Sequence, residues 1–182
     1  MKQDITEIVK VPQGTTVEVS GTSVKVKGAK GECSRTFVVP HVEISKTEEG
    51  VVLSAKKGTK REKSKINSVR SHIKNMLAGV QSPYVYVLKV CSGHFPMNIT
   101  LAGNKFSVKN FLGEKVPRVS EIPQGADVKI EGDKITVTSV DLEVAGKTAS
   151  NLEQLTRIAL RDRRIFQDGI HLILKPGVEG EA

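Results

Sequence analysis

Along the first third of the chain, apolar and polar residues take turns. Thr16-Val17-Glu18-Val19 and Val24-Lys25-Val26-Lys27 both alternate with period two, which predicts strands with one buried face. Ser20-Gly21-Thr22-Ser23 lies between them and reads as a hairpin turn. Gly28-Ala29-Lys30-Gly31 makes a second turn ahead of a strand over Arg35-Thr36-Phe37-Val38-Val39. The turn-like Thr47-Glu48-Glu49-Gly50 then precedes a strand over Val51-Val52-Leu53-Ser54-Ala55. From about Thr59 the period lengthens. Ile66, Val69, Ile73, Met76, Leu77 and Val80 recur at helical spacing, which is one face of an amphipathic helix. Gly79 and Pro83 bracket its end and mark a linker.

The second half repeats this order. Sliding the chain by 82 residues pairs Gly21 with Gly103, Val26 with Val108, Lys27 with Lys109, Gly31 with Gly113 and Glu32 with Glu114, five identities within twelve positions. Glu49-Gly50 meets Glu131-Gly132, each ahead of a strand, and Lys65 and Ser68 meet Lys147 and Ser150. Leu152, Leu155 and Ile158 again show helical spacing. The pattern predicts an α+β chain of two tandem similar domains, residues 1–82 and 83–182, each an antiparallel β-sheet packed with one helix.

Composition narrows the function. The 182 residues are 38% hydrophobic and 4% aromatic, enough for a core, but a small one. Lys and Arg number 28 against 20 Asp and Glu, so the net charge is +8 and the partner expected is a polyanion, nucleic acid first and anionic membrane second. No apolar run approaches the roughly 18 residues of a membrane span. Met1-Lys2-Gln3-Asp4-Ile5 does not read as the start of a secretory signal. Two cysteines, Cys33 and Cys91, are too few for a disulfide framework or a four-thiolate zinc site, so a reducing, cytosolic setting is expected. Residues 1–82 carry net +7 and residues 83–182 net +1. The average places a polyanion on the first half, whereas local clustering points elsewhere.

Arg157-Ile158-Ala159-Leu160-Arg161-Asp162-Arg163-Arg164 holds four arginines, and Arg157, Arg161 and Arg164 share one face if the helix persists. Guanidinium forks match phosphate oxygens and keep their charge. A solvated helix end, with cations complementing the C-terminal dipole, is the other reading of this run. Lys56 to Lys65 holds six cations and one acid in ten residues. Cations at a helix start oppose the dipole, so a nucleic-acid backbone or a solvent-facing loop accounts for them. Gly28-Ala29-Lys30-Gly31 has the G-x-x-G form of an RNA-backbone clamp, but here it joins strands and reads as a hairpin turn. Tyr84 and Tyr86 are too little for a base-stacking platform.

Enzyme constellations are poor. Cys91-Ser92-Gly93-His94 sets a thiol near an imidazole, but Cys91 reads as a small buried residue ending a strand from Tyr84 to Val90. His41, His72, His94 and His171 offer no i, i+4 metal pair, and the sequence has no phosphate-binding loop or nucleophile elbow. The expectation is a protein that is not an enzyme and that needs no cofactor, metal or small-molecule substrate.

Gln154-Leu155-Thr156-Arg157-Ile158-Ala159-Leu160-Arg161-Asp162-Arg163-Arg164-Ile165-Phe166-Gln167-Asp168-Gly169-Ile170 resembles the large-subunit ribosomal protein six family in its archaeal and eukaryotic form: a Gln, basic residues at fixed spacing, then Arg-x-Phe-x-Asp-Gly. Val26 to Glu32, Ser92 to Met97 and Asn110 to Lys115 are similar to the same family. His171 stands where an aromatic is usual and Ala29 where proline is common, so neither is assigned a role. The resemblance covers nearly the whole chain.

It implies a duplicated fold that binds large-subunit rRNA mainly through its second domain, on cytoplasmic ribosomes. The place it implies is near the sarcin–ricin region and the base of the factor-binding stalk, beside other large-subunit proteins. The rRNA-binding residues it implies are Arg157, Arg161, Arg163 and Arg164, with Lys147, Gln154 and Lys175 as secondary candidates. Asp168-Gly169 is expected to form a turn that Asp168 caps with its own side chain, and the tail from Lys175 to Ala182 to order against a partner. Two rivals remain: an RNA-binding regulator that never joins a ribosome, and a thiol enzyme using Cys91 and His94.

Overall fold

Before the first expected strand, Gln3–Lys10 already forms one, β1. The computed structural model describes residues 3–47 and 50–176. Glu48 and Glu49 of the expected turn, and tail residues 177–182, lie outside the described residues. The chain divides into two compact units, Met1–Pro83 and Tyr84–Ala182.

In the first unit β1 is followed by β2 (Thr16–Ser20), β3 (Ser23–Gly28), β4 (Gly31–Thr36), β5 (Glu43–Thr47), β6 (Gly50–Gly58) and helix α1 (Lys60–Gln81). The strands form two antiparallel sheets, ordered β1-β6-β5 and β2-β3-β4. Helix α1 closes the core with Ile66, Val69, Ile73, Met76, Leu77 and Val80, the apolar face its periodicity predicts, all buried. Thr59 caps it: its side chain accepts from the Arg61 N–H, and Glu62 answers from the third helical position. The helix runs through Gly79 and stops at Gln81, where Ser82 turns extended ahead of Pro83.

The expected strand at Arg35–Val39 is displaced. β4 starts at Gly31 and ends at Thr36, because Gly28 and Gly31 pair directly and the ladder resumes at once. Gly28-Ala29-Lys30-Gly31 is therefore a tight hairpin turn, and the Lys30 N–H donates to the Val80 carbonyl at the end of α1.

The second unit contains β7 (Tyr84–Cys91), β8 (Asn98–Ala102), β9 (Lys105–Lys109), β10 (Arg118–Glu121), β11 (Ala126–Glu131), β12 (Lys134–Ser139), α2 (Leu142–Leu155) and β13 (Gly169–Leu174). Its sheets are ordered β8-β9-β10 and β11-β12-β7-β13. The repeat is thus visible in topology: β8-β9-β10 mirrors β2-β3-β4, and β11-β12-β7 mirrors β5-β6-β1. Each repeat holds two sheets rather than one. Even register is preserved, since Val17 pairs with Val26 and Ile99 with Val108, 82 residues on.

Three departures matter. Val26 pairs with Cys33 but Val108 pairs with Arg118, so three extra residues enter the second copy before β10. Strand β13 is added outside β7 and has no counterpart among the described residues of the first unit. Helix α2 starts 82 residues after α1 but ends at Leu155, not at Arg163, where the end of α1 would fall.

A Cβ at Gly28 would lie 2.8–2.9 Å from the Val80 side chain and carbonyl oxygen. Gly28→Ala should therefore destabilise the first unit by about 1–3 kcal/mol, the ordinary cost of overpacking, read as a lower midpoint in denaturant unfolding.

Candidate nucleic-acid interface

Helix α2 begins conventionally. Asp141 accepts from the Glu143 N–H at 2.8 Å, while Ala145, Thr148, Ala149 and Leu152 face the core. Its end is built by other elements. The last carbonyls of a helix lack intrahelical donors, and here the Arg118 guanidinium supplies one of the missing donors. Arg118 Nη1 donates to the Leu155 carbonyl at 2.8 Å and to the Arg157 carbonyl at 3.2 Å. The same side chain forms a fork with Glu114, at 2.8 Å from Nε and 2.6 Å from Nη2, and lies 4.4 Å from the Phe111 ring centroid. Glu114 is held below the usual carboxylate range, chiefly by these hydrogen bonds from Arg118.

Thr156 completes the stop. Its N–H donates to the Glu153 carbonyl, its hydroxyl donates to the same carbonyl at 3.2 Å, and its Oγ1 accepts the Ile170 N–H at 2.8 Å. The chain then leaves helical geometry, with Leu160 at φ +59°. The helical face expected for Arg157, Arg161 and Arg164 does not exist. Residues 157–167 form an irregular turn, although Ile158 still packs against the core as its apolar character demands.

All four arginines are exposed, as are Lys147, Gln154 and Lys175. Gln154, Arg157 and Arg163 line one cleft of about 600 Å³, with Cys91, Thr156 and Ile170 also on its wall. Lys147 precedes Gln154 by seven residues on α2, about 10 Å away along the same helix face. Arg161 lies outside the cleft lining and stacks over Phe166 at 5.0 Å. Arg164 turns back on Asp162, with contacts of 2.7 to 3.2 Å and its own N–H on Asp162 Oδ1 at 2.9 Å. Among the described residues Arg157, Arg161 and Arg163 form no ion pair. Lys175 is not brought to this group: it follows β13, roughly 20 Å of strand from Gly169.

Asp168 does not cap its own turn. Asp162 performs that task for residues 162–166: its side chain accepts the Arg164 N–H, and its carbonyl accepts the Ile165 and Phe166 N–H groups. Asp168 is 3% exposed and reaches across to the loop after β7. It accepts the Gly93 N–H, the His94 N–H at 2.9 Å and His94 Nδ1 at 2.5 Å. A carboxylate only accepts, so Nδ1 carries the proton. Burial pushes the Asp168 carboxyl up, but the His94 N–H, the His94 ring and the Gly93 N–H together outweigh it and leave the group below its ordinary value. The His94 ring in turn packs on Phe166 at 4.8 Å, so Asp168, His94, Phe166 and Arg161 form one continuous stack.

The thiol pair of the enzyme reading is not assembled. Cys91 is half-buried at the end of β7 opposite Gly169, and no hydrogen bond joins it to His94 among the described residues. The basic run of the first unit spans the end of β6 and the start of α1: Lys56 and Lys57 on β6 and Lys60, Arg61 and Lys63 on α1 are exposed, and Lys65 is half-buried. Glu62 offsets these cations at the helix dipole, its carboxyl lowered to about 2 chiefly by the Thr59 hydroxyl and N–H. The sequence reading missed Arg118. Its one signal is that Glu114 repeats Glu32 while the chain beyond it slips out of the repeat.

A duplicated α+β protein whose second copy alone ends its helix in an exposed arginine turn is the class that this fold and site define. The family model described as Ribosomal protein L6 matches residues 11–82 and 95–169, one match in each unit. The chain is 47% identical over 175 residues to large ribosomal subunit protein uL6 of Nanoarchaeum equitans, covering 92% of this chain and 91% of that one. It is 40% identical over 171 residues to the protein of the same name from Methanobrevibacter smithii, covering 94% and 96%. The chain belongs to the ribosomal protein L6 family. No helix among the described residues is long and apolar enough to cross a membrane.

Because the folded Asp168 carboxyl lies below its unfolded value, its stabilisation is complete above the unfolded carboxylate range, near pH 4, and is lost as pH falls through the depressed folded value. Asp168→Asn keeps an acceptor for the backbone donors but loses the charge. It should cost about 1–3 kcal/mol at pH 6 and flatten the decline in stability below pH 4, measured by denaturant unfolding across pH 2.5–7.

Proposed function

We propose that the chain is a structural constituent of the large ribosomal subunit that holds large-subunit rRNA chiefly through its second unit. The site we infer lies near the sarcin–ricin region and the base of the factor-binding stalk, against neighbouring large-subunit proteins, on cytoplasmic ribosomes. Membership of the L6 family supports the ribosome, the large subunit and rRNA as partner. The observation that carries the choice of surface is the arginine turn. Arg157, Arg161 and Arg163 are exposed, form no ion pair among the described residues, Arg161 acting on Glu114 only at longer range, and stand on a segment anchored at both ends. Gln154 and Lys147 continue the surface along α2, and Lys175 is a more distant contact.

The action is adhesive. Guanidinium groups neutralise phosphates and release condensed counterions, so affinity falls steeply with salt. Phosphate and sugar contacts position the protein, while RNA shape supplies most of the selectivity. Nothing in this action needs bond making, and the Cys91 thiol has no part in it.

Gradient sedimentation of lysate tests the assignment. The chain should travel with the large subunit and leave it only at high salt, whereas recovery in light fractions at low salt would mean an RNA-binding regulator instead. On isolated large-subunit rRNA, Arg161→Ala with Arg163→Ala should weaken binding roughly tenfold near 0.1 M salt and flatten the salt slope by about one unit per lost contact. Lys56→Ala with Lys57→Ala should matter less, and a larger loss there would move the main interface to the first unit. Cys91→Ala should leave binding unchanged.

A further inference from the structure

We propose that Arg118 is a positioning residue that presets the arginine turn, so that the rRNA surface exists before RNA arrives. This rests on the reading of that turn as the rRNA contact.

Four features carry it. First, Arg118 joins β10 to the exit of α2 through the Leu155 and Arg157 carbonyls, so it fixes the direction in which Arg157 emerges. Second, the guanidinium is itself held, by the Glu114 fork and by the Phe111 ring beneath it, and its side chain is 28% exposed. With Nε, Nη1 and Nη2 all directed at protein, it offers little to a phosphate. Third, the position is a point of divergence between the copies. Arg118 takes the register position opposite Val108 that buried Cys33 takes opposite Val26. The copy with cysteine has a helix running on to Gln81, and the copy with arginine has a helix that stops at Leu155. Fourth, the far end of the turn is tied independently through Asp168 and His94. A segment anchored at both ends loses less freedom on binding than a free one.

The test measures binding of the full chain to transcribed large-subunit rRNA at several salt concentrations, well below the unfolding temperature. Arg118→Ala should weaken binding about tenfold yet leave the salt slope unchanged, because the same phosphates are met after a costlier ordering. Amide exchange over residues 156–165 should accelerate in the free protein. Arg118→Lys should recover only part of the loss, since an ammonium cannot hold the fork and the helix carbonyls together. If Arg118→Ala does not fold, Glu114→Gln frees the guanidinium with a milder change and should give a smaller loss at the same slope.

Unchanged affinity in a folded Arg118→Ala protein overturns the proposal. So does a slope lowered by about one, which would make Arg118 a phosphate contact. Arg161→Ala with Arg163→Ala, made with Arg118 intact, separates the two failures. If that pair leaves both affinity and slope unchanged, the interface reading has failed, and the positioning role falls with it.

Discussion

A helix that stops short leaves carbonyl oxygens without donors, and the second unit depends on how those of α2 are met. Arg118 and Thr156 meet them from opposite sides, one from β10 and one from within the chain's own turn, with Thr156 also fastening the first residues of β13. The outcome is a helix end fixed by tertiary contacts rather than by a glycine. A cation at that end also complements the negative pole of the helix dipole. The arginines that follow are thereby released from helical geometry without being released from the fold.

Asp168 supplies the second fixed point by a different physical route. Its carboxylate is buried and would be costly there alone, but two backbone N–H groups and an imidazole converge on it. The donors come from the loop after β7 and the acceptor from the residue before β13, so the bond ties the facing ends of these two paired strands together. Phe166 extends this tie outward, with His94 on one contact and Arg161 on the other. The turn between the anchors carries Leu160 and Ile165 fully or largely exposed among the arginines. Cationic and apolar groups are thus presented side by side, the composition a folded RNA surface with phosphates and sugar faces can use.

The duplication was legible because its carriers are periodic. Alternating Val17, Val19, Val24 and Val26, and the helical spacing of Ile66 to Val80, each report a buried face directly. Strand β1 escaped notice because its burial alternates only weakly, with Val9 alone fully buried. The end of α2 was illegible for a stronger reason. Leu152, Leu155 and Ile158 keep helical spacing across the break, and Ile158 still packs on the core, so local periodicity favours continuation. The helix yields to Arg118 and Ile170, whose contacts span 14 to 39 residues of sequence. Asp168 was misplaced for the same reason: Asp-Gly predicts a local turn, while its partners lie more than 70 residues away. The arginines themselves were legible as a cluster, because charge density needs no fold to be seen, whereas their shared face did need one.

Why the arginine turn falls in the second copy follows from β13. In the first unit the helix ends at Gln81 and the chain moves on, leaving β1 as a sheet edge among the described residues. In the second, the chain returns to pair beside β7, the equivalent of β1, starting with Gly169 opposite Cys91. Reaching that edge requires the helix to stop early and the polypeptide to cross from its end to the sheet. The arginine turn is that crossing. Connections run over the surface, where their side chains are free to meet a partner while strand and helix hold their ends. An extra strand thus does two things at once: it covers an exposed sheet edge and it creates a long connection on which exposed guanidinium groups can stand. The near-neutral average of the second half is then no obstacle to binding a polyanion, since Asp162 and Asp168 are turned to holding the turn in shape and leave Arg157, Arg161 and Arg163 facing outward.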